Sequence, residues 1–162
     1  QMSGPSSIVL SRQSLPEIAR TKKQKELINN GGYIVFEPDK KLSAIIISSG
    51  SELHISIDAA KKLKQQNINV RVVSMVCMEK FLQQNTSYQN KVLPPNVDNI
   101  LAVEAGIGDC WDKFIGKRGK TIGMKSFGLS APAKDVFNHF GFTTQNIVSE
   151  INKLIKKNRK VK

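Results

Sequence analysis

Ser43-Ala44-Ile45-Ile46-Ile47-Ser48, then Ser49-Gly50-Ser51-Glu52, a helical pattern, and Val70-Arg71-Val72-Val73-Ser74 form the stretch whose reading decides the fold. The first run is apolar on both faces and rich in β-branched residues, which suits a central strand of a parallel sheet. After the Gly50 turn, Leu53, Ile57, Ala60 and Leu63 are spaced for one helical face, while Asp58, Lys61, Lys62 and Gln65 fill the other. Ser49 and Glu52 stand at capping-box spacing, with Ser51 as the alternative cap, and Asn67 stops the helix. A strand, a helix and a second strand in this order predict a βαβ crossover of right-handed sense.

Working outward, Tyr33-Ile34-Val35-Phe36, Ile100-Leu101-Ala102-Val103-Glu104 and Lys120-Thr121-Ile122-Gly123-Met124 read as further strands. Residues 109–115, 133–140 and 144–157 read as helices, the last placing Ile147, Ile151, Leu154 and Ile155 on one face. Ser7-Ile8-Val9-Leu10-Ser11 reads as a short strand, and Glu17 to Asn30 as a lysine-rich linker with one helical turn, closed by Gly31-Gly32. Alternating strands and helices predict an α/β fold: a three-layer, doubly wound domain on a mostly parallel sheet.

The 162 residues suit one domain, and 40% hydrophobic residues exclude whole-chain disorder. No apolar run approaches the roughly 20 residues of a membrane-spanning helix. Gln1 to Ser7 lacks the pattern of a secretory signal, and a start at Gln instead of Met points to a processed or truncated chain. Cys77 and Cys110 form neither a disulfide framework nor a zinc pattern, so two half-buried free thiols in a reducing cytoplasm are expected. The net charge is +12 and the isoelectric point near 9.9. The lysines are not interleaved with aromatic residues, so no single-strand stacking platform is expected. The run Lys153 to Lys162 reads as a helix end complementing its dipole, then a solvated tail.

Chemistry-bearing patterns are few. His54 and His139 lack partners at ligand spacing, and read as structural. Gly50 and Gly106-Ile107-Gly108 are too sparse for a phosphate or dinucleotide loop. Glu104 reads as a strand end and Asp109 as a helix cap, in preference to an acid–base pair. Arg12 is different: it stands at a strand end among few other charges, where a guanidinium suits bidentate phosphate recognition or an interdomain salt bridge.

Eight segments in order resemble transketolase: Leu10 to Pro16 (Leu-Ser-Arg-Gln-Ser-Leu-Pro), Gly31 to Val35, Ser49 to Glu52, Val70 to Met75, Val92 to Pro94, Val103 to Gly106, Phe127 to Ala133 and Phe140 to Thr143. The resemblance covers Ser7 to Leu154; Ser14 and Leu129 depart from the usual Asn and Glu. It implies a doubly wound domain with one antiparallel strand. It divides the chain into residues 1–32 (the end of a pyrimidine-binding domain and a linker), 33–157 (the C-terminal domain) and 158–162 (a basic tail). The implied parent is a dimeric cytoplasmic enzyme of the pentose phosphate pathway that moves a two-carbon ketol unit between sugar phosphates. Its thiamine diphosphate and Mg2+ (or Ca2+) are held by upstream domains, so the present chain holds no cofactor or metal and is inactive alone. Arg12 matches the family arginine that contacts substrate phosphate. Partners implied are the other transketolase domains and a second subunit; nucleic acid and membrane are not. Two alternatives are a related thiamine enzyme (deoxyxylulose phosphate synthase or a 2-oxo acid dehydrogenase β subunit), which Leu-Ser-Arg-Gln and Gly-Gly-Tyr argue against, and a basic polyanion-binding module.

Overall fold

A computed structural model describes Pro5 and residues 7–160. The signal reading of Gln1 to Ser7 thus falls mostly outside the described residues, as does the end of the basic tail, Val161-Lys162. The elements in order are α1 (Lys22–Leu27), β1 (Gly32–Phe36), β2 (Ala44–Ser48), α2 (Glu52–Gln65), β3 (Val70–Met75), α3 (Met78–Leu82), α4 (Thr86–Val92), β4 (Ile100–Ile107), α5 (Asp112–Ile115), β5 (Lys120–Met124), α6 (Ala133–Phe140) and α7 (Thr144–Arg159).

The strands form one sheet in the order β1-β3-β2-β4-β5. β2 runs parallel to β3 and β4, β4 parallel to β5, and β1 antiparallel to β3, with Gly32 opposite Met75. Alternate residues of each strand feed opposite faces. Ala44, Ile46, Val70, Val72, Leu101 and Val103 pack under α2 and α7, while Ile45, Ile47, Val73, Met75, Ile100 and Ala102 pack with Phe81, Trp111 and Phe114 on the other side. Every residue of β2 is buried, as its unbroken apolar run requires. The layers are therefore helix, sheet, helix, as expected.

The buried face of α2 is Leu53, Ser56, Ala59, Ala60 and Leu63, so Ile57 stands at its margin. No capping box forms at its start: Ser51 is helical and donates its hydroxyl to the Glu52 carboxylate at 2.8 Å. A capping box does form at α1, where Thr21 and Gln24 exchange hydrogen bonds of 3.0 and 3.2 Å. Gln24 also donates to the carbonyls of Ile34 and Val35 at 3.2 and 3.0 Å, so the linker covers the open edge of β1.

Gly31 turns the chain from linker into sheet with a φ of 82°, and a Cβ there would strike the Cys77 carbonyl. Its own carbonyl accepts from the backbone amides of Val76 and Cys77 at 2.7 and 2.8 Å. The sequence does not announce α3 and α4, since both are too short to show a helical period. Residues 7–11 form no strand: without a neighbouring strand an extended segment cannot pair its backbone, and Ile8, Val9 and Leu10 are 84%, 92% and 82% exposed. At the other end α7 runs two residues beyond the pattern at 144–157. Asn158 is buried there and donates to Asn99 Oδ1 at 2.8 Å, while Asn99 donates to the Ser43 carbonyl at 2.8 Å.

Candidate functional site

β2 continues through α2 to β3, and β4 continues through α5 to β5, in opposite directions and on opposite faces of the sheet. The crevice at the carboxyl ends of β2 and β4 is thus the topological switch point, the usual ligand position in open α/β sheets. Ser49-Gly50-Ser51-Glu52 forms one lip and Glu104-Ala105-Gly106 the other.

Two carboxyl groups meet here. Glu52 is only 3% exposed. Burial raises its pKa, the Ser51 hydroxyl opposes the rise, and the charge of Glu104 adds to it. Burial also raises the pKa of Glu104, against the Trp111 indole and the Ser49 hydroxyl, which favour the charged form. The fully buried Trp111 Nε1 has no partner at full hydrogen-bond geometry, so its help to Glu104 is electrostatic more than directional. The pair sits under the turn, with the Ala105 amide near Glu52. Glu52 stands on one lip of the switch point and Glu104 on the other, close enough for their charges to oppose each other. Among the described residues no three His, Cys, Asp or Glu side chains gather as a metal site.

Arg12 lies on the adjoining surface. Its exposed side chain and Gln13 wall a cleft with Leu129, Ala131, Val136 and Phe137. Gln13 to Pro16 then run along a second cleft lined by His54, Ile55, Phe137 and Phe142. Ser11 Oγ is 3.7 Å from the point where a Gly50 Cβ would lie. The arginine segment is therefore laid across the switch-point turn and against α6.

The remaining candidates disperse. His54 is half-buried, with Nδ1 lacking a partner, and the exposed His139 meets Phe140 edge-on at 4.9 Å between ring centres. Asp109 does not cap a helix: it lies inside a 3-10 turn, Gly108–Trp111, whose start has no side-chain cap. Cys77 and Cys110 are free, and Cys110 is exposed instead of half-buried because that turn carries it off the sheet edge. The Glu52–Glu104 pair was not legible, since pairing needs the order of β2 and β4; the only trace is an acidic residue soon after each of two buried runs.

The chain matches the family model described as the transketolase-like C-terminal domain over residues 31–143. It is 49% identical over 95% of its length to the transketolase of Buchnera aphidicola subsp. Acyrthosiphon pisum, and 43% identical over 94% to transketolase 2 of Escherichia coli. It spans 23% of the length of each of these relatives. Among solved structures, the transketolase of Pichia stipitis in complex with sedoheptulose 7-phosphate superposes with a TM-score of 0.81 at 31% identity, over 91% of this chain and 21% of that one. A split-gene transketolase, an inactive β4 tetramer, shares the fold at a TM-score of 0.66 and 16% identity, over 90% of this chain and 48% of that one. The sheet order with its one antiparallel edge, the family match and the relatives agree: the chain belongs to the transketolase family and forms its C-terminal domain.

Proposed function

We propose that this domain serves an enzyme that transfers a two-carbon ketol unit between sugar phosphates, and that Arg12 grips the substrate phosphate there. The observation that carries this reading is the placement of Arg12: exposed, on a segment that runs along the domain, at the carboxyl edge of the sheet. Among the described residues its guanidinium has no carboxylate within ion-pair distance. A planar guanidinium there can give two parallel hydrogen bonds to phosphate oxygens, fixing the end of the substrate remote from the reacting carbons. The Pichia stipitis relative solved with a sugar phosphate supports the substrate class.

Thiamine diphosphate and Mg2+ or Ca2+ belong, in this reading, to the other domains of a cytoplasmic homodimer, and would supply the carbon-transfer chemistry. The present chain contributes packing, dimer contact and the phosphate grip, and is inactive alone. Residues 1–32 are read as the end of the preceding domain and a linker, 33–157 as the domain proper, and 158–162 as a tail. Exposed apolar side chains support docking: Val76, Ile107 and Phe127, 57%, 73% and 98% exposed, follow or end β3, β4 and β5 at one edge of the sheet. Among the described residues no helix is long and apolar enough to cross a membrane.

Calorimetric titration of this chain with thiamine diphosphate and Mg2+ tests the division of labour. No heat of binding is expected. Saturable micromolar binding would place a cofactor site within the chain and overturn the reading.

A further inference from the structure

The chain before Arg12 and the chain after it are held very differently. Ile8, Val9 and Leu10 are 82% exposed or more. From Ser11 onward the segment runs along the domain: Ser11 beside Gly50, Arg12 and Gln13 on a cleft shared with α6, and Gln13 to Pro16 on a cleft shared with His54 and Ile55 of α2. The approach to the domain therefore begins one residue before the arginine.

The turn beside it is closed by its own hydrogen bonds. Gly50 has a φ of 49°, a left-handed conformation natural to glycine. The Glu52 amide closes the turn onto the Ser49 carbonyl at 3.1 Å, and the buried Glu52 carboxylate takes the Ser51 hydroxyl at 2.8 Å. Because Gly50 has no Cβ, its outer surface is bare backbone where Ser11 lies. On the other side Ala133, the exposed first residue of α6, borders both clefts and leaves them open by its small size.

We propose that the Gly50 turn and Ala133 form a seat that sets the position of Arg12, making Gly50 and Ala133 positioning residues for phosphate recognition. This rests on the reading of Arg12 given above. An arginine on a long, flexible stem grips a phosphate with fidelity only if its backbone is fixed, since small displacements lose near-attack geometry. The C-terminal domain would thereby set substrate selectivity without touching substrate.

The test uses the intact enzyme that carries this domain. Gly50→Asn keeps the left-handed backbone, which Asn tolerates, and fills the space beside Ser11. Ala133→Phe crowds the segment from a solvent-exposed position and leaves the core alone. For each, KM for a phosphorylated ketose is expected to rise about tenfold with kcat within about twofold, as for loss of uniform binding. Turnover of an unphosphorylated ketol donor and acceptor, and affinity for thiamine diphosphate, are expected to stay at the parent level. Unchanged KM in both variants, or equal losses with phosphorylated and unphosphorylated substrates, would overturn the proposal. Arg12→Ala, run beside them, separates the two readings. A phosphate-selective loss in Arg12→Ala alone sinks the seat and spares the arginine; no loss in Arg12→Ala sinks both.

Discussion

Arg20 Nε donates a 2.7 Å hydrogen bond to the hydroxyl of Tyr33, a side chain with no exposed surface. The linker is thereby fastened to the first strand at its buried end, and Arg20 is itself held by the Ile18 carbonyl at 3.0 Å. Tyr33→Phe keeps the packing and removes the fastening. It is expected to cost about 1 kcal/mol, or roughly 2–4 °C in Tm for a chain of this size. Urea and thermal unfolding measure it; an unchanged midpoint would show that the Arg20–Tyr33 hydrogen bond adds nothing to the stability of the domain.

Two glycines with positive φ give unequal expectations. At Gly31 an added methyl would meet the Cys77 carbonyl and come within 2.5 Å of Phe81 N, where backbone cannot yield cheaply. Gly31→Ala is expected to cost about 3 kcal/mol or more. At Gly50 the nearest atom to an added Cβ is 3.7 Å away, so Gly50→Ala carries only the left-handed strain, about 1 kcal/mol. Similar unfolding midpoints for the two variants would refute this account of the Gly31 turn.

The buried carboxyls set two pH trends of opposite sign. Glu52 has its pKa raised by burial, so its native state holds a proton more tightly than the unfolded chain does. Its contribution is full below the ordinary carboxylate range and is lost as pH rises through the raised value. Glu52→Gln is therefore expected to raise Tm at neutral pH and to flatten the decline of stability that begins as pH rises out of the ordinary carboxylate range. A fall in Tm at neutral pH would mean that the charged form is the one the fold needs.

Glu150 behaves in reverse. Its pKa is lowered by the Lys120 hydrogen bond, with Lys153 at 2.9 Å assisting against the effect of burial. Stability from this triad is present above the ordinary carboxylate range and is lost as pH falls through the depressed value. Both lysines are substantially exposed, so Glu150→Gln is expected to cost only about 1 kcal/mol at pH 7. The loss should vanish in acid, where wild type and variant converge. A constant gap down to pH 3, followed by thermal unfolding, would assign the effect to packing.

On the proposed role of Arg12, Arg12→Ala in the intact enzyme removes a charge-assisted contact to phosphate. It is expected to lower kcat/KM for phosphorylated substrates by about 2–4 kcal/mol in transition-state terms, and to leave cofactor affinity unchanged. Unaltered kinetics with phosphorylated substrates would remove Arg12 from the site.

The βαβ unit around β2 was legible because its signals are local: a β-branched run with no polar face, a glycine turn, and a helical stripe from Leu53 to Leu63. The same holds for β4, β5 and α7. The resemblance to the family was equally a property of residues in order. What the chain order did not contain was neighbourhood. Ile8, Val9 and Leu10 have the composition of a strand and form none, because a strand exists only with a partner to take its hydrogen bonds. Met78–Leu82 and Thr86–Val92 are helices held by Phe81, Tyr88 and Val92 in the second core, not by a period long enough to read. Glu52 and Glu104 are distant in sequence and come within reach of each other's charge only because β2 and β4 are adjacent at the switch point. Residue types and local periodicity determined the elements and the family; the packing of non-adjacent segments alone decided that Ser11, the neighbour of Arg12, lies beside Gly50.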